Sequence, residues 1–300
     1  MADRRLQIFL AVARHRSFTR AAAALFMSQP AVTLQIKQLE ALYRKQLFER
    51  HHGSITLTPA GELVLSYAEK IIALSDEMEG RLAEMTGEMR GLLLIGACSS
   101  IGESMLAPVL SEFNALYPQV RVRLLVANSE TVARRVAERV IDLGLIAATL
   151  KVPGVKGEVC GSDELIAICA ADYPLTGKKA ISPTALAEYE YIAREPGSGT
   201  REATDAYFRN HQVDPQSLKM QMELGSPEAV KSVVAQGIGF AIVSRWVVEK
   251  ELEQGTLIGV ALKPPLQRNL LLIYPDDSFR TRLADTFMRF AKNKLQEFAG

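Results

Sequence analysis

The sequence predicts an α/β protein in three parts: an N-terminal winged helix-turn-helix, a long linker helix and a two-lobed α/β domain. Three observations carry that expectation. Two short capped helices meet at a tight break between Ser17 and Leu39, an apolar heptad seam runs from Leu63 to Met89, and from Gly91 onward strand and helix patterns alternate. The expected boundaries are 1–58, 59–90 and 91–300, with lobe I at 91–162 and 268–300 and lobe II at 163–267.

The first helix spans residues 4–14, with Leu6, Phe9, Leu10 and Ala13 inward. Ser17 caps the second, whose apolar stripe is Phe18, Ala21, Ala22 and Leu25. Ser28 caps the third, and Pro30 sits in its first turn, where a missing N–H costs nothing. Val32, Ile36 and Leu39 face inward, and Leu42 is expected to continue that stripe. Gln29, Thr33, Gln35, Lys37 and Gln38 then point largely outward. Amides, a hydroxyl and a cation on one short helix suit a major groove, where Gln bonds adenine, Thr touches a thymine methyl and Lys bonds guanine or phosphate. The same pattern also fits an ordinary two-helix core fragment with a polar solvent face. Charge separates the two. Residues 1–58 hold nine Lys/Arg against three acids, whereas 59–90 hold three against seven, and the whole chain carries only +1. Positive charge gathered at one end is a footprint for a polyanion.

Leu47–Arg50 and Ile55–Thr58 read as a two-stranded wing turning at Gly53-Ser54. Arg50, His51 and His52 lie near the phosphate backbone in that reading; in the alternative Arg50 pairs with Glu49 or a helix end and the histidines are solvated. Thr58-Pro59 with Glu62 opens a helix whose apolar residues recur at Leu63, Tyr67, Ile71, Leu74, Met78, Leu82, Met85 and Met89. A lone helix with such a stripe packs on a second copy or on its own chain. Gly87 and Gly91 suggest a hinge at its end.

The stretch S-F-T-R-A-A-A-A-L-F-M-S-Q-P-A-V-T-L-Q-I-K-Q-L-E, followed by L-F-E-R and L-T-P-A-G, resembles the LysR-type transcriptional regulators. The resemblance extends over the full 300 residues. It implies a DNA-binding domain, a dimerising linker helix and an effector domain like a periplasmic binding protein. It also implies promoter DNA and a small metabolite, often anionic, as partners, with a homodimer or homotetramer as the working form and contact with RNA polymerase. The expected DNA-facing residues are Ser17, Arg20, Ser28, Gln29, Pro30, Thr33, Gln35, Lys37, Arg50 and His52. Two positions depart from the pattern: Leu34 stands where many members carry Arg, and the wing Arg50-His51-His52-Gly53 has less fixed charge than the Arg-rich wings common in the family.

In the α/β part, Leu92–Ala97 is an expected strand, 101–116 a helix, 120–126 and Leu143–Ala147 strands, 246–254 a helix and 280–298 a closing helix, all on a parallel sheet. Leu165–Ala170 and Leu270–Tyr274 are expected to cross between the lobes. Ligands in open α/β sheets sit beyond strand ends at helix N-termini, which attract anions. Four such points can be read: Ser99, Ser100 and Ile101; Asn128 and Ser129; Glu195, Ser198, Gly199, Thr200 and Arg201; Gly225 and Ser226. Each hydroxyl equally fits a helix cap; four converging on one cleft favour a ligand, with Arg201 placed to neutralise it. R-E-P-G-S-G-T-R and E-L-G-S-P-E-A-V look most like the branch regulating carbon fixation or sulfur metabolism, which implies sugar phosphates, nicotinamide dinucleotides or sulfur oxyanions.

Other classes fit less well. No G-x-S-x-G, H-E-x-x-H, P-loop or complete G-x-G-x-x-G occurs, and none of the four histidines falls in the expected cleft, so no enzyme is expected. A transport binding protein fits 91–300, but the basic N-terminal part and the lack of an export signal argue for a cytoplasmic protein without membrane spans. No cofactor or metal is expected. Cys98, Cys160 and Cys169 show no CxxC spacing; they read as small apolar strand residues, with a Cys160–Cys169 redox pair as the alternative.

Overall fold

The computed structural model describes residues 4–25, 27–51, 54–84, 89–276 and 280–298. It divides into two compact units, Met1–Gly91 and Leu92–Gly300.

The first unit holds α1 (Arg4–His15), α2 (Phe18–Ala24), α3 (Gln29–Tyr43), β1 (Phe48–His51), β2 (Ser54–Leu57) and α4 (Pro59–Glu84). Ser17 Oγ accepts the Arg20 amide at 3.2 Å and Ser28 Oγ the Ala31 amide at 3.3 Å, so both expected caps form. Leu6, Phe9, Val12, Phe18, Val32, Ile36, Leu39 and Phe48 are buried together. Ile8 and Val12 join this core, whereas Ala13 is only half-buried. Leu42 is 58% exposed, against expectation. Three residues beyond Leu39 it falls about 60° round a helix of 3.6 residues per turn, off the inward stripe. The hairpin pairs Phe48 with Leu57 and Arg50 with Ile55. Thr58 Oγ1 donates to the Gln46 carbonyl at 2.8 Å and accepts the Gly61 amide at 2.9 Å, fixing the start of α4.

α4 has two apolar faces. Ala60, Val64, Leu65, Ala68 and Ile72 pack on the first unit's core. Leu63, Tyr67, Ile71, Leu74 and Met78, the expected seam, are all large hydrophobics left exposed. Met85 and the side chain of Leu82 lie outside the described residues, and Met89 follows the described helix.

The second unit runs β3 (Gly91–Cys98), α5 (Ser99–Ser104), α6 (Leu106–Leu116), β4 (Val120–Ala127), α7 (Ser129–Ala137), β5 (Leu143–Ile146), β6 (Val155–Cys169), β7 (Ala180–Ile181), α8 (Pro183–Leu186), β8 (Tyr191–Arg194), α9 (Gly199–Asn210), β9 (Met220–Leu224), α10 (Pro227–Val234), β10 (Ala241–Ser244), α11 (Glu249–Gln254), β11 (Ile258–Leu262), β12 (Leu266–Pro275) and α12 (Arg282–Phe298). Strand order is β4-β3-β5-β12-β6-β11-β7, with β10 also on β6 and β8 paired to β9. The sheet is mixed, which corrects the parallel expectation: β3 and β5 are parallel, but β12 runs antiparallel to both β5 and β6. The reason is that β6 and β12 each serve two lobes while running in opposite directions. They pair from Val155↔Pro275 to Leu165↔Leu266, with an irregularity at Leu270/Leu271. Both are longer than expected, because the stretch K-G-E-V-C-G-S-D-E hides strand in polar residues. The helix expected over 101–116 breaks at Met105 (φ −112°) into α5 and α6. In an unbroken helix the Pro108 ring would strike the carbonyl of residue 104. The helix expected over 246–254 likewise divides into a tight turn, Arg245–Val247, and α11.

Candidate nucleic-acid interface and effector cleft

On the first unit, Arg20, Ser28, Gln29, Pro30 and Lys37 are exposed, and Ser17, Thr33 and Gln35 half-buried. Gln29 Nε2 donates to Thr33 Oγ1 at 3.0 Å, so two candidate base readers hold each other in register one turn apart. The capping oxygens of Ser17 and Ser28 accept backbone amides, which leaves each hydroxyl proton to donate outward. Arg50 lies on β1, but its side chain, like all of His52, lies outside the described residues.

On the second unit the expected cleft is closed tightly. Cys98, Ser99, Ser100, Asn128, Ser129, Ser198, Gly199 and Thr200 line one cavity of about 10 Å³, together with Arg194 and Arg268. That is room for one water. The lobes touch directly. Asn128 Nδ2 donates to the Pro196 carbonyl at 3.3 Å, and the Glu130 amide to the Gly197 carbonyl at 3.1 Å. A Cβ added at Gly199 would lie 2.0 Å from the Ala147 carbonyl oxygen. Gly199 is therefore required for close approach, whereas Gly197 holds φ +82°, where glycine is favoured.

Arg268, on β12, is the centre of this closure. Its Nε and Nη2 meet Asp163 Oδ2 at 2.9 and 2.7 Å, and Ser244 Oγ donates to Asp163 Oδ1 at 2.7 Å. Its Nη1 donates to Thr200 Oγ1 at 2.9 Å and to the Ala147 carbonyl at 3.3 Å, and its Nη2 to Ser100 Oγ at 3.4 Å. The guanidinium thus bridges both lobes while 7% exposed, against a carboxylate 2% exposed. Arg194, 5% exposed, is clamped by Glu195 at 2.8 and 3.0 Å. Ser129 Oγ is buried without a hydrogen-bond partner, an unmet polar group that a ligand atom could satisfy. Burial pushes the Glu103 carboxyl up, against the pull of Arg194.

Several expected residues lie elsewhere. Arg201 is held by Asp205 at 3.0 Å, Glu223 at 3.1 Å and the Arg194 carbonyl at 2.9 Å. Burial lowers its pKa, but the carboxylates outweigh that and raise it. It lines an outer groove of about 530 Å³ with Lys151, Glu202 and Arg209, not the inner cavity. Glu195 is spent on Arg194. Ser226 caps α10 through the Ala229 amide at 3.1 Å, and neither it nor Gly225 nor the fully buried Ile101 lines the cavity. Sequence reasoning missed Arg194, Arg268, Asp163 and Ser244. A buried-strand pattern interrupted by Arg268 was the available signal for the most important of them.

The three cysteines are free and buried. Cys160 donates to the Leu270 carbonyl at 3.4 Å, and burial pushes its thiol up to about 12. Cys160 and Cys169 lie on one strand, β6, nine residues apart, roughly 30 Å at ~3.3 Å per residue, so they cannot form a disulfide within the chain. Among the described residues no cluster of three metal-binding side chains occurs, and no helix is long and apolar enough to cross a membrane.

A winged helix-turn-helix joined to a closed two-lobed cleft defines a ligand-responsive DNA-binding regulator. The family comparisons agree. Residues 4–62 match the model described as "Bacterial regulatory helix-turn-helix protein, lysR family", and residues 86–296 match the "LysR substrate binding domain". The chain belongs to the LysR family, whose members are transcriptional regulators and not enzymes. It is 35% identical to a "RuBisCO operon transcriptional regulator" of Allochromatium vinosum over 289 residues, covering 96% of this chain and 94% of that one. A regulator of the same description from Acidithiobacillus ferrooxidans is 33% identical over 286 residues, covering 95% and 91%. Among solved structures, the regulatory domain of CcmR from Synechocystis PCC6803, in complex with 2-PG, is 27% identical with a TM-score of 0.62, covering 67% of this chain and 96% of that one. CbnR, a LysR family regulator, matches with a TM-score of 0.70 at 19% identity over 99% and 100% of the chains, which shows the shared fold.

Proposed function

We propose that this regulator reads promoter DNA with α3 and senses a small phosphorylated or carboxylated metabolite in the cleft between its lobes, in control of carbon-fixation genes. In this reading 1–58 is the DNA-binding domain, 59–90 the dimerising linker and 91–300 the effector domain. The DNA-facing set is Ser17, Arg20, Ser28, Gln29, Pro30, Thr33, Gln35 and Lys37, with Arg50 and His52 on the wing. The exposed seam of α4 supports a homodimer or a pair of dimers. The protein works in the cytoplasm, beside DNA and RNA polymerase.

The observation that carries the effector reading is the pair of nearly buried arginines at the lobe closure. Arg268 donates to Ser100, Thr200 and the Ala147 carbonyl, which are neutral groups. An anion entering here replaces those neutral acceptors with charge-assisted ones, which are roughly twice as strong. Ser129 Oγ supplies a further unsatisfied hydroxyl. Lobe opening must accompany entry, because the present cavity of about 10 Å³ has room for no more than one water. The names of the relatives and the 2-PG bound to CcmR support a metabolite of that pathway's chemistry.

A thermal-shift series with 2-phosphoglycolate, sugar phosphates, nicotinamide dinucleotides, sulfate and dicarboxylates tests this. A ligand selective for the native state raises Tm by mass action, about 2.7 kcal/mol at 100 times its Kd. One anion should raise Tm in the intact chain and lose its effect in Thr200→Ala and Ser100→Ala. An anion-induced shift that survives both substitutions would place the site elsewhere.

A further inference from the structure

Leu34 is 55% exposed on α3. A helix advances about 100° per residue, which puts Leu34 nearly opposite the mean direction of the buried Val32, Ile36 and Leu39. It therefore stands at the pole of the outward face, where Pro30, Lys37 and Gln38 around it are exposed too. A large apolar side chain thus stands more than half exposed at the most outward point of a polar, cationic surface.

We propose that Leu34 reads sequence directly by packing on the 5-methyl group of a thymine in the major groove. The proposal rests on α3 being the reading helix. The thymine methyl is the apolar feature that base edges present in that groove, and it distinguishes T·A from the other pairs. Charge favours DNA as the occupant: residues 1–58 carry nine basic against three acidic residues. The arrangement of apolar groups argues against a protein partner. Protein interfaces use contiguous patches, as on α4, where Leu63, Tyr67, Ile71, Leu74 and Met78 line up. Leu34 is set apart from the other large exposed hydrophobics of α3, Leu42 and Tyr43, which lie two turns or more away along the helix. A single methyl group needs only a single side chain.

The test uses the full-length chain and duplexes that it selects from a random pool. Each thymine of the selected site is replaced in turn by deoxyuridine, which keeps every hydrogen-bonding edge and removes the methyl. Losing one buried methyl is expected to weaken binding about fourfold at one position per half-site. Leu34→Ala should bind the thymine and uracil duplexes equally, at the weaker level, with an unchanged melting temperature and unchanged affinity for random DNA. The proposal is overturned if no thymine position responds in the native chain, or if Leu34→Ala keeps the full response. Gln29→Ala separates this from the parent reading. If no half-site emerges from the selection, or if Gln29→Ala keeps full preference for the selected site, α3 is not the reading helix, and the proposal fails with it.

Discussion

The two units build their sites by opposite means. The proposed DNA-facing surface is local: its caps, core stripe and outward amides fall within Ser17–Leu39, and the capping bonds span three residues. The effector cleft is long-range. Arg268 contacts Asp163, Ser100 and Thr200 at separations of 105, 168 and 68 residues. A surface drawn from one helix can be read by spacing and periodicity, because helical geometry alone decides which residues share a face. A cleft assembled from two crossing strands depends on register, which no local pattern records. The difference separates what a substitution does in each unit, and the largest effects test it most sharply.

The α4 seam is local in pattern, yet in the proposed dimer it is covered only by a second chain. Each leucine buried in a dimer contributes about 1.5–3 kcal/mol. Replacing Leu63 and Leu74, both 61% exposed, with Glu alters four side chains in a dimer. A loss of about 6–12 kcal/mol by that scale should leave monomers at micromolar concentration by sedimentation, with the folded signal intact. A dimer that persists would assign the seam to solvent. Asp163→Asn comes next. It leaves the Arg268 guanidinium, 7% exposed, without its carboxylate, and removing one partner of a buried pair costs about 3–5 kcal/mol. Urea unfolding should report that loss; a change below about 1 kcal/mol would mean the pair adds little to the backbone ladder that already joins β6 and β12.

Both caps, the inward stripe of α3, the wing strands and the start of α4 were legible because each depends on residues within a turn or a hairpin. Serines and Thr200 at the cleft were legible for the same reason, as helix starts. Arg201 was legible as a cation at a helix start, but its neutralisation by Asp205 and Glu223 was not, since Glu223 arrives from β9. Arg268 and Asp163 were hidden because their strands pair antiparallel across the lobes. The mixed sheet was hidden with them: alternation of strands and helices suggests parallel pairing and says nothing of a strand shared by two lobes.

Smaller effects sharpen the contrast. Ser28→Ala removes the cap of α3, worth about 1 kcal/mol, and should lower DNA affinity without altering any anion-induced Tm shift. A fall in both would show that the site on α3 is not as local as its residues suggest.

The smallest expected effect concerns a long-range pair of the second unit. Lys231 Nζ lies 2.7 Å from Glu251 Oε1, with side chains 11% and 22% exposed. Burial pushes the Glu251 carboxyl up, but the hydrogen bonds from Lys231 and the backbone, with the charges of Lys231 and Lys250, together outweigh it, and the pKa lies below the usual range. A carboxyl depressed in the folded state contributes stability that is present above its unfolded pKa, about 4.3, and is lost as pH falls through the folded value. Glu251→Gln should therefore be less stable than the native chain by up to about 1 kcal/mol at pH 6. That difference should shrink as pH falls below about 4.3 and vanish once the native carboxyl is itself protonated. A difference that stays constant from pH 6 to pH 3 in urea unfolding would assign the effect of the substitution to packing rather than to charge.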